Sequence, residues 1–191
     1  MKRAVFLDRD GTLIQDRGYI CEFSQVAFFP FAAAAVRLLN RAGYLVVVAS
    51  NQSAVARGIC SAEQVERLHR RLQAHFSERG AAIAAFYYCP FLAGGRVAAY
   101  RRQSPLRKPE PGMLLQAARE LDLDLAHSFM VGDKADDVEA GRRAGCGTVL
   151  VRTGEGESAS DGPTPPADFV VADLAAAARL IASLGRRRRA R

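Results

Sequence analysis

Short, mainly apolar runs, one of them the β-branched stretch Val46-Val47-Val48, alternate along this chain with longer helix-like stretches. The short runs predict strands at residues 4–7, 44–49, 84–89, 128–131, 148–151 and 169–171. The longer stretches predict helices at residues 31–42, 61–79, 111–121, 134–144 and 173–184. Local signals support these limits. Ser61 and Gln64 form a capping-box pair, Pro111 suits a first helical turn, and Gly43, Gly80 and Gly145 stand where helices stop. Strands alternating with helices predict an α/β fold: a Rossmann-like parallel sheet with helices on both faces. The intervals between elements leave no room for a large cap domain. Two segments stand outside the alternation, residues 12–29 and 90–109; long connections of this kind are usually functional or disordered. Residues 154–166, small, polar and Pro-rich, predict a surface loop.

Composition narrows the class. The chain has 191 residues, 49% hydrophobic and 25% charged, which is ordinary for a globular protein. One domain is expected over 1–184, followed by a basic, disordered tail over 185–191. No apolar run has membrane-spanning length, and Asp8 ends the first one too early for a signal peptide, so a cytoplasmic protein is expected. Cys21, Cys60, Cys89 and Cys146 are widely spaced with no CxxC pair, which predicts reduced, mostly buried thiols. Five of the seven net positive charges come from the arginines at 186–189 and 191, leaving +2 for the rest. With no Trp and 8% aromatics, specific nucleic-acid binding is not expected.

The candidate chemistry sits behind the strands. Asp8-Arg9-Asp10-Gly11-Thr12 follows the first, placing two carboxylates where open α/β sheets bind ligands. Such a pair can share a divalent cation, one member attacking while the other moves protons. Ser50-Asn51-Gln52-Ser53 follows the second strand, where a hydroxyl and backbone N–H groups can cradle a phosphate oxygen. Arg107-Lys108-Pro109 precedes the third helix, where an ordered Lys suits an anion. Gly132-Asp133-Lys134 ends the fourth strand, and Asp133 can reach a cation shared with Asp8 if the two strands are neighbours. N-capping of the next helix is the alternative for Asp133. Asp136 or Asp137 can hold a metal-bound water or orient Lys134.

In this order the four segments resemble the haloacid-dehalogenase-like phosphatases. The likeness runs from Ala4 to about Ser183. It extends to Ala56-Arg57-Gly58, Tyr87-Tyr88-Cys89-Pro90 and Pro111-Gly112-Met113-Leu114, the pattern of a subgroup that acts on heptose bisphosphates or histidinol phosphate. Asp16-Arg17-Gly18-Tyr19 and Val151-Arg152-Thr153-Gly154 are similar to the heptose branch.

The resemblance implies Mg²⁺-dependent removal of the C7 phosphate of a D-glycero-D-manno-heptose 1,7-bisphosphate through a phospho-aspartate. The alternative is hydrolysis of histidinol phosphate or another small sugar phosphate. It implies Asp8 as nucleophile, Asp10 as acid/base, Ser50 and Lys108 on the phosphoryl oxygens, and Mg²⁺ on Asp8, the Asp10 carbonyl and Asp133. Asp16, Arg17, Gly18, Tyr19, Asn51, Gln52, Ser53, Arg57, Arg107 and Lys134 are the expected substrate contacts. Arg57 and Arg107 are the candidates for a second phosphate, because a guanidinium fork matches phosphate oxygens. The expected partner is one small sugar bisphosphate, bound by a monomer. Members of the subgroup often carry a structural zinc after Cys89. Here the ligand positions hold Cys89, Phe91, Ser104 and Leu106, and a single thiolate makes no zinc site, so no structural zinc is expected.

Overall fold

The computed structural model describes residues 1–156 and 166–189, with side chains as far as Gly185. Six parallel strands form one sheet: β1 (Arg3–Leu7), β2 (Tyr44–Asn51), β3 (Ala85–Cys89), β4 (Phe129–Gly132), β5 (Gly147–Val151) and β6 (Phe169–Val171). Five helices connect or flank them: α1 (Ala32–Arg41), α2 (Ala62–Ser77), α3 (Gly112–Leu121), α4 (Ala135–Arg143) and α5 (Leu174–Arg189). The strand order is β3-β2-β1-β4-β5-β6. Strand order reverses at β1, so the crevice beyond β1 and β4 is the switch point where such sheets bind ligands.

The central strands β1, β2 and β4 carry nearly continuous apolar runs because both of their faces are covered. Val5, Leu7, Val46, Val48, Val131 and Val149 face α1 and α5 through Val36, Leu39, Ala178 and Ile181. Ala4, Phe6, Val47, Ala49 and Met130 face α3 through Met113, Leu114 and Ala117. Ser61 and Gln64 form the expected capping box on α2. Gly43, Gly80 and Gly145 take φ of 86°, 65° and 79°, a region that suits glycine after a helix.

Three expectations need correction or limits. The thiols are not all reduced: Cys21 and Cys60 form a disulfide, with Cα atoms 5.6 Å apart, while Cys89 and Cys146 are free and buried. The pair joins the segment after Tyr19 to the segment after Arg57, and nothing in the sequence spacing marks two loops as neighbours across 39 residues. The last helix does not stop at Leu184 but runs to Arg189. Arg is a good helix former, and positive charge suits a helix C-terminus. Residues 157–165 of the expected surface loop, and 190–191, lie outside the described residues.

The two long connections are packed. Residues 12–29 fold back on themselves, with Gln15 N–H donating to the Ala27 carbonyl at 2.8 Å, and lay Ile14 and Ile20 on Leu68 and Leu72 of α2. In the other, Phe91 lies under the Arg102 guanidinium at 3.9 Å and beside Tyr100, and Arg107 Nη1 donates to the Phe91 carbonyl at 3.4 Å. At the subgroup's zinc positions, Cys89, Phe91 and Leu106 pack into the apolar core. This donor set does not fit a structural zinc.

Candidate active site

The ends of β1, β2 and β4 bring Asp8, Asp10, Ser50, Lys108 and Asp137 around one small crevice of about 60 Å³. Leu7 pairs with Val131, and Asp8 N–H donates to the Val131 carbonyl at 2.9 Å, which sets the two strand ends side by side. Lys108 is 3% exposed, and its three donors have three acceptors. Nζ lies 2.7 Å from Asp8 Oδ1, 2.7 Å from the Ala49 carbonyl and 2.5 Å from Asp137 Oδ1. Burial works against the ammonium, but Asp137 and Asp8 outweigh it and hold its pKa above the ordinary lysine value. A phosphoryl oxygen therefore reaches Lys108 by exchanging with one of these acceptors.

Asn51 and Gln52, expected on the substrate, also hold the machinery. Asn51 grips the Lys108 backbone at both ends, accepting from its N–H at 3.1 Å and donating to its carbonyl at 3.0 Å. Gln52 Nε2 donates to Asp10 Oδ2 at 3.1 Å and to Ser50 Oγ at 2.8 Å. Burial raises the Asp10 pKa; the Arg9 charge opposes that rise and Asp8 adds to it. A raised carboxyl suits a group that must give a proton and then take one.

Asp133 is fully buried. It does not cap α4: Oδ2 accepts from the Glu155 backbone N–H at 2.9 Å, and Asp137 accepts from the Lys134 N–H instead. Asp133 Oδ1 has no hydrogen-bond partner among the described residues. Burial first, and the Asp8 charge second, push this carboxyl up to about 8. Carboxylate oxygens of Asp8, Asp133 and Asp137 lie within 4.8 Å of one another. Since Lys108 and the α4 backbone occupy Asp137, Asp8 and Asp133 are the side chains suited to a hard divalent cation. Gly11 and Gly154 line the place, with φ of 84° and 62°, and a Cβ on either would strike Asp133.

Substrate-sized space lies on two sides. One cleft, about 350 Å³, is lined by Asp10, Asp16, Gly18, Tyr19, Asn51, Gln52, Ser53, Lys134 and Glu155. Lys134 pairs there with Glu155 at 3.0 Å and Asp16 at 3.6 Å. Asp16 also accepts from the Gly18 N–H at 2.9 Å, shaping the turn that presents Tyr19. Arg17 shares that turn but donates to the Gln15 side chain. Arg57 lies 6.0 Å from the Tyr19 ring centre. The second cleft, about 650 Å³, is lined by Leu92, Ser104, Arg107, Lys108, Glu110 and Asp136, among others. Of the two arginines expected to share one mouth, Arg107 lines the second cleft, while Arg57 approaches the first through the Tyr19 ring.

Sequence reasoning assigned no role to Arg9, His69 or Glu155, and left Asp137 as one of two options. Arg9 did carry a signal: a cation between two carboxylates, in a segment apolar on both sides. His69 and Glu155 carried none.

A family described as HAD-hydrolase-like matches residues 105–177. A D-glycero-D-manno-heptose-1,7-bisphosphate 7-phosphatase of Thermosynechococcus vestitus is 46% identical over 93% of this chain and 94% of its own. A D-glycero-beta-D-manno-heptose-1,7-bisphosphate 7-phosphatase of Pasteurella multocida is 42% identical over 96% of this chain and 99% of its own. The crystal structure of a D,D-heptose 1,7-bisphosphate phosphatase from B. bronchiseptica, complexed with magnesium and phosphate, superposes with a TM-score of 0.83. It is 32% identical, covering 95% of this chain and 99% of that one. With its carboxylates, lysine and serine gathered at the switch point of the same fold, the chain belongs to the HAD-like hydrolases, among relatives that are heptose bisphosphate phosphatases.

Proposed function

We propose that this protein removes the C7 phosphate of D-glycero-D-manno-heptose 1,7-bisphosphate, using Mg²⁺ and a phosphorylated Asp8. The observation that carries the reading is the crevice at the ends of β1, β2 and β4. It gathers the carboxylates of Asp8 and Asp10, the Ser50 hydroxyl and the Lys108 ammonium, which supports these roles for them, in a chain 46% identical to a phosphatase of that name.

The Asp8 carboxylate attacks phosphorus and the bond to the C7 oxygen breaks. The proton on Asp10 goes to the departing oxygen, so the sugar leaves as an alcohol. Asp10, now a carboxylate, takes a proton from water as that water attacks the acyl phosphate. The bond from Asp8 to phosphorus then breaks and inorganic phosphate leaves. Ser50 and Lys108 face the equatorial oxygens, where negative charge is spread in the transition state. Asp8, Asp133 and the Asp10 carbonyl would hold Mg²⁺, whose charge offsets repulsion between Asp8 and an anionic phosphate. The rest of the sugar lies in the cleft of Asp16, Tyr19 and Lys134, or in that of Arg107. The reading carries with it a cytoplasmic, monomeric enzyme. Among the described residues no helix is long and apolar enough to cross a membrane.

The test is a dephosphorylation panel with added Mg²⁺: the heptose bisphosphate, histidinol phosphate and common sugar monophosphates, scored by kcat/KM. The heptose bisphosphate is expected to lead. Preference for histidinol phosphate would move the protein to that activity within the same chemistry, and loss of turnover in EDTA checks the metal.

A further inference from the structure

Arg9 is 1% exposed and is the largest fully buried side chain among the described residues. Its Nε–H is shared between Asp10 Oδ1 and Oδ2, both at 3.1 Å, and Nη2 lies 2.9 Å from Oδ2. Gln52 adds a further donor to Oδ2. Oδ2 is thus held by two side chains, whereas Oδ1 receives only a share of one N–H. Oδ1 is the oxygen with a lone pair to spare for a proton.

The other end of the guanidinium is held as well. Arg9 Nη1 lies 3.2 Å from His69 Nε2, on α2. A guanidinium only donates, so Nε2 must accept and the imidazole proton must sit on Nδ1. Burial, with the Arg9 charge second, drives the His69 pKa down to about 3, so the ring stays neutral and keeps this acceptor. The ring is fixed in turn by stacking on Phe86, with centroids 4.9 Å apart, and by the edge of Tyr88 at 5.5 Å. A carboxylate in this place would divide the Arg9 charge between two partners. A neutral acceptor orients the fork and leaves its charge to Asp10.

We propose that His69 is a positioning residue for proton transfer at Asp10: it anchors Arg9, which clamps Oδ2 and leaves Oδ1 aimed at the leaving oxygen. The inference rests on the acid/base reading of Asp10. In the first step the proton moves from Oδ1 to the sugar oxygen as its bond to phosphorus breaks. In the second it returns to Oδ1 from the attacking water.

The test compares leaving groups. His69→Phe keeps an aromatic ring and removes the acceptor; His69→Gln keeps an acceptor. Each is assayed on the sugar phosphate that wild type turns over best and on p-nitrophenyl phosphate, whose phenolate leaves without a proton. For His69→Phe, kcat/KM for the sugar phosphate is expected to fall about 30-fold, part of what general acid catalysis supplies. For the aryl phosphate it should stay within about threefold, because kcat/KM reports only the steps through expulsion of the leaving group. His69→Gln should recover most of the loss. Equal losses on both substrates, or no loss on either, would overturn the proposal. Should His69→Phe not fold, His69→Leu and His69→Gln decide by the same ratio. Asp10→Asn is the control for the underlying reading. If it lacks the same leaving-group dependence, the acid/base assignment fails, and the role of His69 fails with it.

Discussion

The reacting centre and the rim around it are built on opposite terms. At the centre, Asp8, Lys108, Asp133 and Asp137 are all at most 5% exposed, and each charge is held by a named partner or aimed at a cation site. At the rim, Tyr19 is 46% exposed, Arg57 is exposed, and Lys134 is shared between two carboxylates. Apart from the one Lys108 acceptor that a phosphoryl oxygen replaces, the centre is organised before substrate arrives, which is what electrostatic catalysis needs. The rim has groups that substrate must reorder, which is where discrimination between sugar phosphates is expected.

The sharpest break in that contrast comes from Asp8→Asn. An amide does not form the acyl phosphate, so turnover should fall to background, a loss of more than about 10⁴-fold. The fold should survive, which circular dichroism checks beside phosphate release. Lys108→Met strikes the centre differently. It leaves Asp8 and Asp137 buried without their counter-charge, and removing one partner of a buried ion pair costs about 3–5 kcal/mol. Activity should be lost along with stability, the latter measured by urea unfolding.

Rim substitutions should be milder and selective. A charge-assisted contact is worth about 1.5–3 kcal/mol, or roughly 10- to 150-fold in rate. Because Arg107 lines one cleft and Arg57 approaches the other, one of Arg57→Ala and Arg107→Ala should lower kcat/KM for the bisphosphate by this much. The other should change it little. The affected variant should lose less on a monophosphate without the C1 group. Equal losses on both substrates would mean that the arginine supports a loop: for Arg107, the Phe91 carbonyl it already binds.

Near neutral pH the smallest effect is a slope, which grows only as the solution is acidified. His69 is neutral in the folded state down to about pH 3, but an unfolded histidine takes a proton near 6.5. Between these values the unfolded chain binds more protons, so stability is lost as pH falls from 6.5 towards 3. The loss is at most about 1.4 kcal/mol per pH unit. Unfolding of His69→Gln across this range should show a shallower acid-side fall than wild type.

The parts of this site that could be seen in the sequence were those tied to strand ends. Asp8, Ser50 and Asp133 each follow an apolar run directly, and strand order then brings them together. The glycines after α1, α2 and α4 marked helix ends for an equally local reason. Asn51 and Gln52 were recognised by place but not by task, because their partners come from distant segments. The Arg9–His69 contact spans 60 residues and depends on how α2 lies against β3, which no local pattern encodes. The same holds for the Cys21–Cys60 pair. The extension of α5 was hidden by reading an arginine run for its charge rather than for its helix propensity.

The Cys21–Cys60 bond also changes what counts as one piece of this molecule. It closes the stretch from Cys21 to Cys60 into a covalent ring holding α1, β2, Ser50 and Arg57, while Asp8, Asp10, Lys108 and Asp133 lie on the two open arms. A backbone cut inside the ring, for instance beside the exposed Ile59, releases no fragment until the sulfurs are reduced. A cut at the neighbouring turn of Arg17 and Gly18 falls outside the ring and frees the first arm, with Asp8 and Asp10, at once. Two adjacent lips of one cleft thus answer differently to proteolysis, and gels run with and without reductant tell which lip was cut.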